Sequence, residues 1–345
     1  EYLNMYDYLI VTHIPAFYKI NLYNELNKKL NIFVIFIASD TDEKRSNDFS
    51  NLANANFKYK VLFDGNFQSR NIFINISNIN KMLKILKFKR LIVSGWDLIE
   101  FWYLVFSNKK IKNYLTLEST IIESSHKNIK GFIKKIFLSR ISTVFASGQL
   151  HLQLLNVLNY LGNVKVTKGV GIINKPSYEI IEKEYNKNFL YIGRLSSVKN
   201  LEMMVTVFNE LPEFSLTIIG DGSQKNMLQN IANSNIMFKN SINNNMLKAE
   251  FLNHDIFILP SLSEPWGLVI EESLYFGLPV IISKNCGASE LISNGVNGYI
   301  FNPKDKKGLK NIILNIDQST YQNLIDGVSK FSLQQKDKEQ VNTYL

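Results

Sequence analysis

The sequence has one cysteine, Cys286, among its 345 residues, and it has no long apolar run. One cysteine cannot form a disulfide within the chain, so a reducing, cytoplasmic setting is expected. No uninterrupted apolar stretch approaches the roughly 20 residues that a membrane-spanning helix needs. The first residues, EYLNMYDYLI, lack a basic segment followed by a long apolar one. Neither a signal peptide nor an integral membrane anchor is therefore expected.

Low-complexity tracts, short repeats and recognisable nucleic-acid-binding modules are also missing from the sequence. Positive charge is present, but it is unevenly placed. Residues 1–170 carry 23 Lys and Arg against 12 Asp and Glu, a net charge of +11, whereas residues 171–345 carry 16 against 18, a net charge of −2. A lysine-rich composition alone accounts for many of these residues. The excess of positive charge, however, lies in one half of the chain only. A basic face that binds an anionic lipid, a phosphate-bearing acceptor or nucleic acid is therefore an open alternative.

Short apolar runs alternate with helical patterns along the whole chain, which is typical of βαβ units and parallel sheets. Strands are predicted at 6–13, 31–38, 90–95, 113–118 and 142–147, and again at 188–193, 215–220, 236–239, 255–260, 279–283 and 298–301. The fold class is therefore α/β, with two Rossmann-like domains in tandem. The predicted boundaries are 1–170, a linker or hinge at 171–187 that contains Pro176, 188–325, and a tail at 326–345 that either packs back on the first domain or stays solvated.

In an open parallel sheet, ligands gather at the carboxyl ends of the strands. Three loops of the second half follow such ends: GRLSSVKN at 193–200, GDG at 220–222, and SLSEPWGL at 261–268. The first loop carries two cationic side chains five residues apart, and such side chains suit a phosphate. A pair of this kind is also often just a solvated part of the surface. The third loop leads into a helix whose free backbone N–H groups favour an anion.

Three glutamates lie in that third loop and its helix, within SEPWGLVIEESLYFGLPV. If the helix begins at Gly267 or Leu268, Glu272 lies in the second turn, and Glu271 is rotated by about 100° from it. The two adjacent glutamates therefore cannot point at one ligand. Glu264 precedes the helix, where its side chain can reach a cleft in front of the sheet.

EPWGLVIEES, with Glu264 and Glu272, GLPVI and GASELISNGVNGYIF closely resemble the donor-site signature of the family 4 retaining glycosyltransferases, which have the GT-B fold. The resemblance extends upstream to YIGRLSSVKNLEMMV, LTIIGDGS and HDIFILPSLSE, so it covers nearly all of residues 188–302. It implies two Rossmann-like domains whose sheets face a central cleft. It also implies that the leaving diphosphate takes the acceptor's proton, and that neither a metal nor a cofactor is required.

The resemblance also implies roles for the matching residues. Arg194 and Lys199 would bind the donor diphosphate and neutralise charge that develops on it. Glu264 would hydrogen-bond the donor sugar and Glu272 the ribose, while Glu271 would be a helix-surface charge. The remaining expected contacts are the turn at Gly193, the backbone of Gly267, Leu268 and Val269, and Lys239 near the nucleotide base, next to Asn240 where the family often has glycine. Glu290 is expected to be structural, and Cys286 to be a packed residue.

The first half resembles the family more loosely. His13, Pro15, Tyr18 and Lys19 stand in the first loop, where members often have glycines. Glu118 stands at a strand end where many members have a histidine; it would either orient the sugar or acceptor, and so count among the catalytic residues, or cap the loop. Trp96, in VSGWD, is either an acceptor surface or a core residue.

Residues 126–141, HKNIKGFIKKIFLSRI, form a basic amphipathic pattern. Ile129, Phe132, Ile133, Ile136 and Phe137 fall on one side, with Lys127, Lys130, Lys134 and Lys135 largely on the other. Such a helix either lies on an anionic membrane surface or packs its apolar stripe on the sheet with its lysines in water.

The expected function is transfer of a hexose or N-acetylhexosamine from a nucleotide diphosphate sugar, expected to be a UDP-sugar, to a glycan acceptor. The preferred setting is a bacterial enzyme of lipid-linked oligosaccharide, O-antigen or lipopolysaccharide synthesis, in the cytoplasm or peripherally on the inner face of the membrane. The alternatives are a GT-B nucleotide-sugar epimerase or a catalytically silent partner subunit. Binding to nucleic acid is not expected.

Overall fold

The computed structural model describes residues 5–42, 49–50, 52–179 and 184–345. The chain divides into two compact units: unit 1 comprises residues 1–174 and 336–345, and unit 2 comprises residues 175–335. The division falls within the segment predicted as a linker, 171–187, of which residues 180–183 lie outside the described residues. None of the helices in the described ranges is both long and apolar enough to cross a membrane.

Unit 1 is built on a parallel sheet of seven strands in the order β3-β2-β1-β4-β5-β6-β7. The strands are β1 (Tyr6–Thr12), β2 (Ile32–Phe36), β3 (Lys58–Val61), β4 (Phe88–Val93), β5 (Asn113–Leu117), β6 (Thr143–Ala146) and β7 (Asn163–Val166). The helices are α1 (Phe17–Asn27), α2 (Ile72–Ile85), α3 (Ile99–Ser107), α4 (Asn128–Ser139) and α5 (Gln149–Val157). The central strands are almost entirely buried, as expected for a parallel sheet covered on both faces.

Unit 2 repeats this architecture with six parallel strands in the order β10-β9-β8-β11-β12-β13. The strands are β8 (Asn188–Ile192), β9 (Ser215–Ile219), β10 (Ile236–Lys239), β11 (Ile256–Leu259), β12 (Val280–Ser283) and β13 (Gly298–Phe301). The helices are α6 (Leu201–Asn209), α7 (Lys225–Ile231), α8 (Leu247–Asn253), α9 (Leu268–Tyr275), α10 (Lys306–Leu314) and α11 (Gln318–Ser329). In each sheet, the second and third strands of the unit lie on one side of its first strand, and the later strands lie on the other side. This strand order is that of a Rossmann fold. The predicted fold class is therefore confirmed.

The last helix, α12 (Leu333–Thr343), leads into the final residues, which pack on the core of unit 1. The ring of Tyr344 stacks on Phe145, with 4.3 Å between the ring centroids. The Tyr8 hydroxyl donates a hydrogen bond to the backbone carbonyl of Tyr344 at 2.7 Å. Aromatic burial and a hydrogen bond thus hold the chain's last residues against the sheet of unit 1.

Two strands, β3 and β7, were not predicted, because each is an edge strand with a short, mostly exposed sequence, KYKV or NVKV. The helical pattern of the sequence predicts a helix at 77–88, but helix α2 begins at Ile72, five residues before that start. Its N-cap is Asn71, whose side chain accepts hydrogen bonds from the backbone N–H groups of Phe73 and Ile74. An Asn cap supplies acceptors for N–H groups that have no partner within the helix, so it fixes this earlier start.

Candidate active site

Lys199 and Glu264 form an ion pair at the carboxyl edge of the unit 2 sheet. Lys199 ends a short helical turn after β8, and Glu264 lies in the loop between β11 and α9. Both side chains are mostly buried, with 12% and 17% of their surface exposed. Arg194, five residues before Lys199, is exposed at the same edge. The structure therefore brings two predicted donor ligands, Lys199 and Glu264, into contact and has the third, Arg194, at the same edge of the sheet.

Asn200 holds these loops in place, and its role was not predicted. It adopts the left-handed backbone conformation, with φ of 58°, and caps α6. Its side-chain amide donates hydrogen bonds to the carbonyls of Pro260 at 3.2 Å and Pro303 at 2.8 Å. Asn tolerates the left-handed region better than most residues. One side chain therefore ties the Lys199 turn to the loops that follow β11 and β13.

The glycine loops after β8 and β9 approach each other closely. The N–H of Gly193 donates to the carbonyl of Ile219 at 3.0 Å. A Cβ atom added to Gly220 would lie only 1.9 Å from the carbonyl oxygen of Gly193, so a side chain cannot be accommodated there. The backbone position of Gly193, a predicted donor contact, therefore depends on the close packing of the Gly220 loop against it.

The beginning of α9 confirms the predicted helix start, with Gly267 as N-cap and Leu268 as the first helical residue. Gly267 has a φ of +99°, which residues with a side chain rarely adopt, and an added Cβ would lie 3.3 Å from Cγ of Glu264. No side-chain hydrogen bond caps this helix. The N–H groups of Leu268 and Val269 therefore lie in the first turn of a helix without a side-chain cap, which is a favourable position for an anion.

Glu271 is not a surface charge, and that prediction is wrong. Its side chain is fully buried, and its Oε1 accepts a hydrogen bond from Nε1 of Trp266 at 2.7 Å. Trp266 is itself buried, so its indole N–H needs an acceptor inside the protein. The loop before α9 places that N–H next to the first turn, where a carboxylate is also favoured by the helix dipole. Glu272 is half-buried in the second turn.

Lys239, at the end of β10, forms an ion pair with both carboxylate oxygens of Glu250, at 2.7 and 2.9 Å. The side chain of the next residue, Asn240, accepts a hydrogen bond from Lys225. The ammonium group that was predicted near the nucleotide base therefore already has a carboxylate partner. Contact of Lys239 with a base stays a prediction.

Cys286 is fully buried, and burial is the main cause that raises the pKa of its thiol above the ordinary value, followed by the charge of Glu264. A thiol that is both buried and protonated is a poor nucleophile, so the prediction of a packed residue is confirmed. Glu290, in the turn that follows, is exposed.

In unit 1, Glu118 at the end of β5 forms an ion pair with Lys19 of α1, with 2.5 Å between Oε1 and Nζ. Lys19 is buried and also donates to the hydroxyl of Thr12 at 3.0 Å. Burial alone would lower the pKa of Lys19, but the Glu118 carboxylate, with smaller contributions from Tyr18 and Tyr23, raises it above the ordinary value. Lys19 is therefore an ammonium that holds Glu118 at the carboxyl edge of the sheet.

A second pair at this edge was missed. Nε2 of His13 and Oδ2 of Asp97 are 2.8 Å apart. His13 follows β1 and Asp97 follows β4, and these two strands are neighbours in the sheet. The signal was available, because the carboxyl ends of adjacent parallel strands meet at one edge, but it required the pairing of β1 with β4 to be known.

Helix α4 exposes most of the apolar stripe that the sequence analysis describes. Ile129 is 75% and Phe132 65% exposed, and Ile133 and Ile136 are exposed as well; Phe137 is buried. The alternative in which the stripe packs on the sheet is therefore wrong. Within α4, Gly131, Phe137 and Leu138 are the buried residues.

Lys134 of α4 differs from the expected solvated lysine. Its ammonium donates hydrogen bonds to the Ser124 hydroxyl and the Ser125 carbonyl, both at 2.5 Å, and lies 5.4 Å from the ring centroid of Trp96. Burial, followed by the charge of Lys130, lowers its pKa below the ordinary value. Trp96 is half-buried and packs against the core of unit 1.

The fold of the whole chain is shared with solved GT-B glycosyltransferases. The apo form of a lipopolysaccharide outer core galactosyltransferase superposes with a TM-score of 0.70 at 17% identity, covering 97% of this chain and 98% of the other. A protein of Anabaena in complex with UDP-glucose superposes with a TM-score of 0.71 at 15% identity, with the same coverage of 97% and 98%. At these identities the similarity establishes the fold.

Residues 177–328 match the family model of the glycosyl transferases group 1. A sulfoquinovosyl transferase of Arabidopsis thaliana is 32% identical over 120 residues, which are 34% of this chain and 24% of that protein. An uncharacterised 41.2 kDa protein of the cps region of Klebsiella pneumoniae is 30% identical over 135 residues, 39% of this chain and 37% of the other. The matches thus span about a quarter to two fifths of these relatives. The family model covers less than half of the chain, and the residues that it matches lie in unit 2.

Proposed function

We propose that this protein is a retaining glycosyltransferase that moves a hexose or N-acetylhexosamine from a UDP-sugar to a glycan acceptor. The observation that carries the proposal is the Lys199–Glu264 pair at the carboxyl edge of the unit 2 sheet, an edge at which Arg194 and the start of α9, without a side-chain cap, also lie. This edge offers cations and backbone N–H groups to a diphosphate and a carboxylate to sugar hydroxyls. The same combination is what a nucleotide diphosphate sugar requires.

Arg194 and Lys199 bind the diphosphate and neutralise the charge that grows on it as the glycosidic bond breaks. The N–H groups of Leu268 and Val269 add donors, together with the positive end of the helix dipole. The ion pair with Glu264 orients the Lys199 ammonium before the donor arrives, so the donor binds to a preformed group. The free oxygen of that carboxylate accepts hydrogen bonds from the sugar, and Glu272 accepts them from the ribose.

Two similarities support the choice of donor and acceptor. The Anabaena protein was solved with UDP, with UDP and glucose, and with UDP-glucose. Solved neighbours also include a lipopolysaccharide outer core galactosyltransferase and a glycosyltransferase involved in lipopolysaccharide biosynthesis. These similarities support a lipid-linked glycan or lipopolysaccharide as the proposed acceptor. In the described part of the chain, no three His, Cys, Asp or Glu side chains cluster as metal ligands would, and transfer without a metal is part of the proposal.

The donor site is tested by a thermal-shift panel of UDP-, GDP- and ADP-sugars on the full chain. One donor should raise the melting temperature of the wild type, and Arg194→Ala and Glu264→Ala should abolish that shift. Glu210→Ala is the matched control, because Glu210 also pairs with lysines, Lys306 and Lys310, but lies beyond the carboxyl end of α6. A shift that survives in Arg194→Ala refutes the diphosphate assignment. Release of UDP that requires an acceptor separates a transferase from an epimerase.

We also propose that residues 126–141 bind an anionic membrane surface, where a lipid-linked acceptor would lie. The four exposed apolar residues of α4, Ile129, Phe132, Ile133 and Ile136, would enter the boundary between headgroups and acyl chains. The exposed Lys130 and Lys135 would contact anionic headgroups, and each such contact contributes about 1 kcal/mol near the surface.

Co-sedimentation with phosphatidylglycerol vesicles tests this surface. The wild type should pellet with them, and less so with phosphatidylcholine vesicles or at high salt. Phe132→Asp should weaken the binding, whereas Phe73→Asp should not, although Phe73 of α2 is 84% exposed in the same unit. Equal binding by both variants contradicts the assignment of α4.

A further inference from the structure

Four chain segments lead into strands β4, β5, β6 and β7 at the amino edge of the unit 1 sheet, which is the edge opposite to the two ionisable pairs. We call them the amino-edge surface, which comprises residues 84–90, 106–113, 139–142 and 160–165. These residues include nine Lys and Arg and no Asp or Glu. An acid near this edge, Asp7 of β1, already pairs with Lys89 at 2.7 Å. The amino-edge surface is therefore strongly basic.

Hydrogen bonds between the segments make them one surface. The ammonium of Lys112 donates to the carbonyl of Phe88 at 3.4 Å, so the turn before β5 lies beside the start of β4. The Ser142 hydroxyl donates to the carbonyl of Ile111 at 3.2 Å, and the N–H of Asn163 donates to the carbonyl of Ser142 at 3.0 Å. Because β4 to β7 are consecutive neighbours in the sheet, at about 4.8 Å per strand, their starts span about 15 Å.

Large aliphatic side chains project from this basic surface. Ile85 is 66% exposed, Ile111 74% and Leu161 97%. Lys109 and Lys110 are exposed and come directly before Ile111 in the chain. Aliphatic side chains therefore alternate with ammonium groups along the amino-edge surface.

This mixture fits an anionic membrane better than a protein or a nucleic acid. Aliphatic side chains enter the boundary between headgroups and acyl chains, and the lysines attract anionic headgroups. Lysine is depleted in protein–protein interfaces, whereas it is abundant here. Single-stranded nucleic acid is bound by stacking of bases on aromatic rings, but the three most exposed apolar side chains of this surface are aliphatic.

The amino-edge surface adjoins the carboxyl end of α4, the helix already proposed to contact lipid. Arg140 follows that helix and reaches the edge, where its guanidinium donates to the carbonyl of Asn108 at 2.8 Å. The same guanidinium lies 5.5 Å from the ring centroid of Phe106, which is 48% exposed. The apolar stripe of α4 and the amino-edge surface thus meet at one corner of unit 1, where one membrane can contact both.

We propose that the amino-edge surface is a second lipid-binding surface of unit 1. Ile111 enters an anionic bilayer, flanked by Ile85 and Leu161, while Lys109 and Lys110 contact the headgroups. The inference goes beyond the contact proposed for α4, since it places lipid at the amino edge of the sheet. It is also independent of the donor site of unit 2.

A fluorescent label at position 111 tests the insertion on the full chain. Because Cys286 is fully buried, Ile111→Cys can be labelled selectively with a nitrobenzoxadiazole fluorophore. Phosphatidylglycerol vesicles should shift the emission of this label to the blue, and phosphatidylcholine vesicles should not. Ile74→Cys is the matched control, because Ile74 is 58% exposed in the same unit but lies near the start of α2, whose other end reaches the amino edge.

The role of the lysines is tested by co-sedimentation with phosphatidylglycerol vesicles. The double variant Lys109→Gln/Lys110→Gln should bind about 30-fold more weakly than the wild type, because each lysine near an anionic surface contributes about five-fold. Lys304→Gln/Lys307→Gln removes the same charge from two exposed positions of unit 2 and should bind as the wild type does. An unchanged melting temperature shows that each variant is folded.

A label at Phe132→Cys separates this inference from the contact proposed for α4. A blue shift at position 132 but not at 111 overturns the inference and leaves the α4 contact standing, whereas a shift at neither position overturns both. Wild-type affinity of Lys109→Gln/Lys110→Gln also overturns it. So does a shift at position 111 that appears with rising protein concentration in the absence of vesicles, because a second copy of the chain then covers the surface. None of these outcomes bears on the donor-induced thermal shift, which decides the proposed transferase separately.

Discussion

Replacing Glu271 by alanine should destabilise unit 2, although this residue was predicted to be an exposed charge. The carboxylate is fully buried and accepts the hydrogen bond of the buried Trp266 indole at 2.7 Å. The variant leaves that N–H without its acceptor inside the protein. Because a hydrogen bond to a charged group contributes about 1.5–3 kcal/mol, the free energy of unfolding should fall by about 2–3 kcal/mol.

Equilibrium urea unfolding, followed by circular dichroism and tryptophan fluorescence, measures this loss. The neighbouring Glu272→Ala is the matched control, since it removes the same group one position along α9 from a half-buried site. Glu272→Ala should lose less stability than Glu271→Ala, but it should weaken donor binding in the thermal-shift panel. The loss in Glu271→Ala should thus be mainly one of stability, and the loss in Glu272→Ala mainly one of donor binding.

A double-mutant cycle with Trp266→Phe isolates the hydrogen bond. In the Trp266→Phe background the N–H is absent, so Glu271→Ala should cost clearly less stability than in the wild type. Equal losses in the two backgrounds would refute the reasoning, as would a Glu271→Ala variant as stable as the wild type.

Two further predictions concern buried ionisable groups of unit 1. Burial is the main cause that lowers the pKa of His151 to about 4. The unfolded chain takes up this proton near pH 6.5, so stability falls as the pH drops from there toward 4, by about 3 kcal/mol over the full window. His151→Leu should lose less stability between about pH 7 and about pH 4.5, read from urea midpoints, and an unchanged difference would contradict this. Arg70 contacts the fully buried Glu100 carboxylate at 2.7 and 3.1 Å; Arg70→Met should lose about 3–5 kcal/mol, and more than the double variant Arg70→Met/Glu100→Met, in the same unfolding assay.

The strands of both sheets show which elements the sequence pattern predicts and which it does not. The central strands are short apolar runs bounded by turn residues, and their order along the chain predicts two doubly wound sheets. The edge strands β3 and β7 have alternating or polar sequences that resemble loops. Each of these two strands is held by the backbone hydrogen bonds of one neighbour, and its mostly exposed side chains form no apolar run that could be recognised.

The candidate site likewise has features that the sequence predicts and features that it does not. The positions of Lys199 and Glu264 after two strand ends predict that they lie at one edge, and the structure brings them into contact. Helical geometry correctly separates Glu271 from Glu272. It does not predict that Trp266 folds inward and needs an acceptor, because that depends on how the loop before α9 packs.

The sequence by itself determined the fold class, the tandem arrangement and the strand ends that carry polar residues, because hydrophobic periodicity and strand–loop–helix order are local properties. Only the tertiary structure decided which side chains meet. It paired His13 with Asp97 across neighbouring strands, paired the buried Lys19 with Glu118, buried Glu271 and left most of the stripe of α4 exposed. Those contacts join residues that are far apart in the chain or depend on packing against other elements, and no local pattern contains that information.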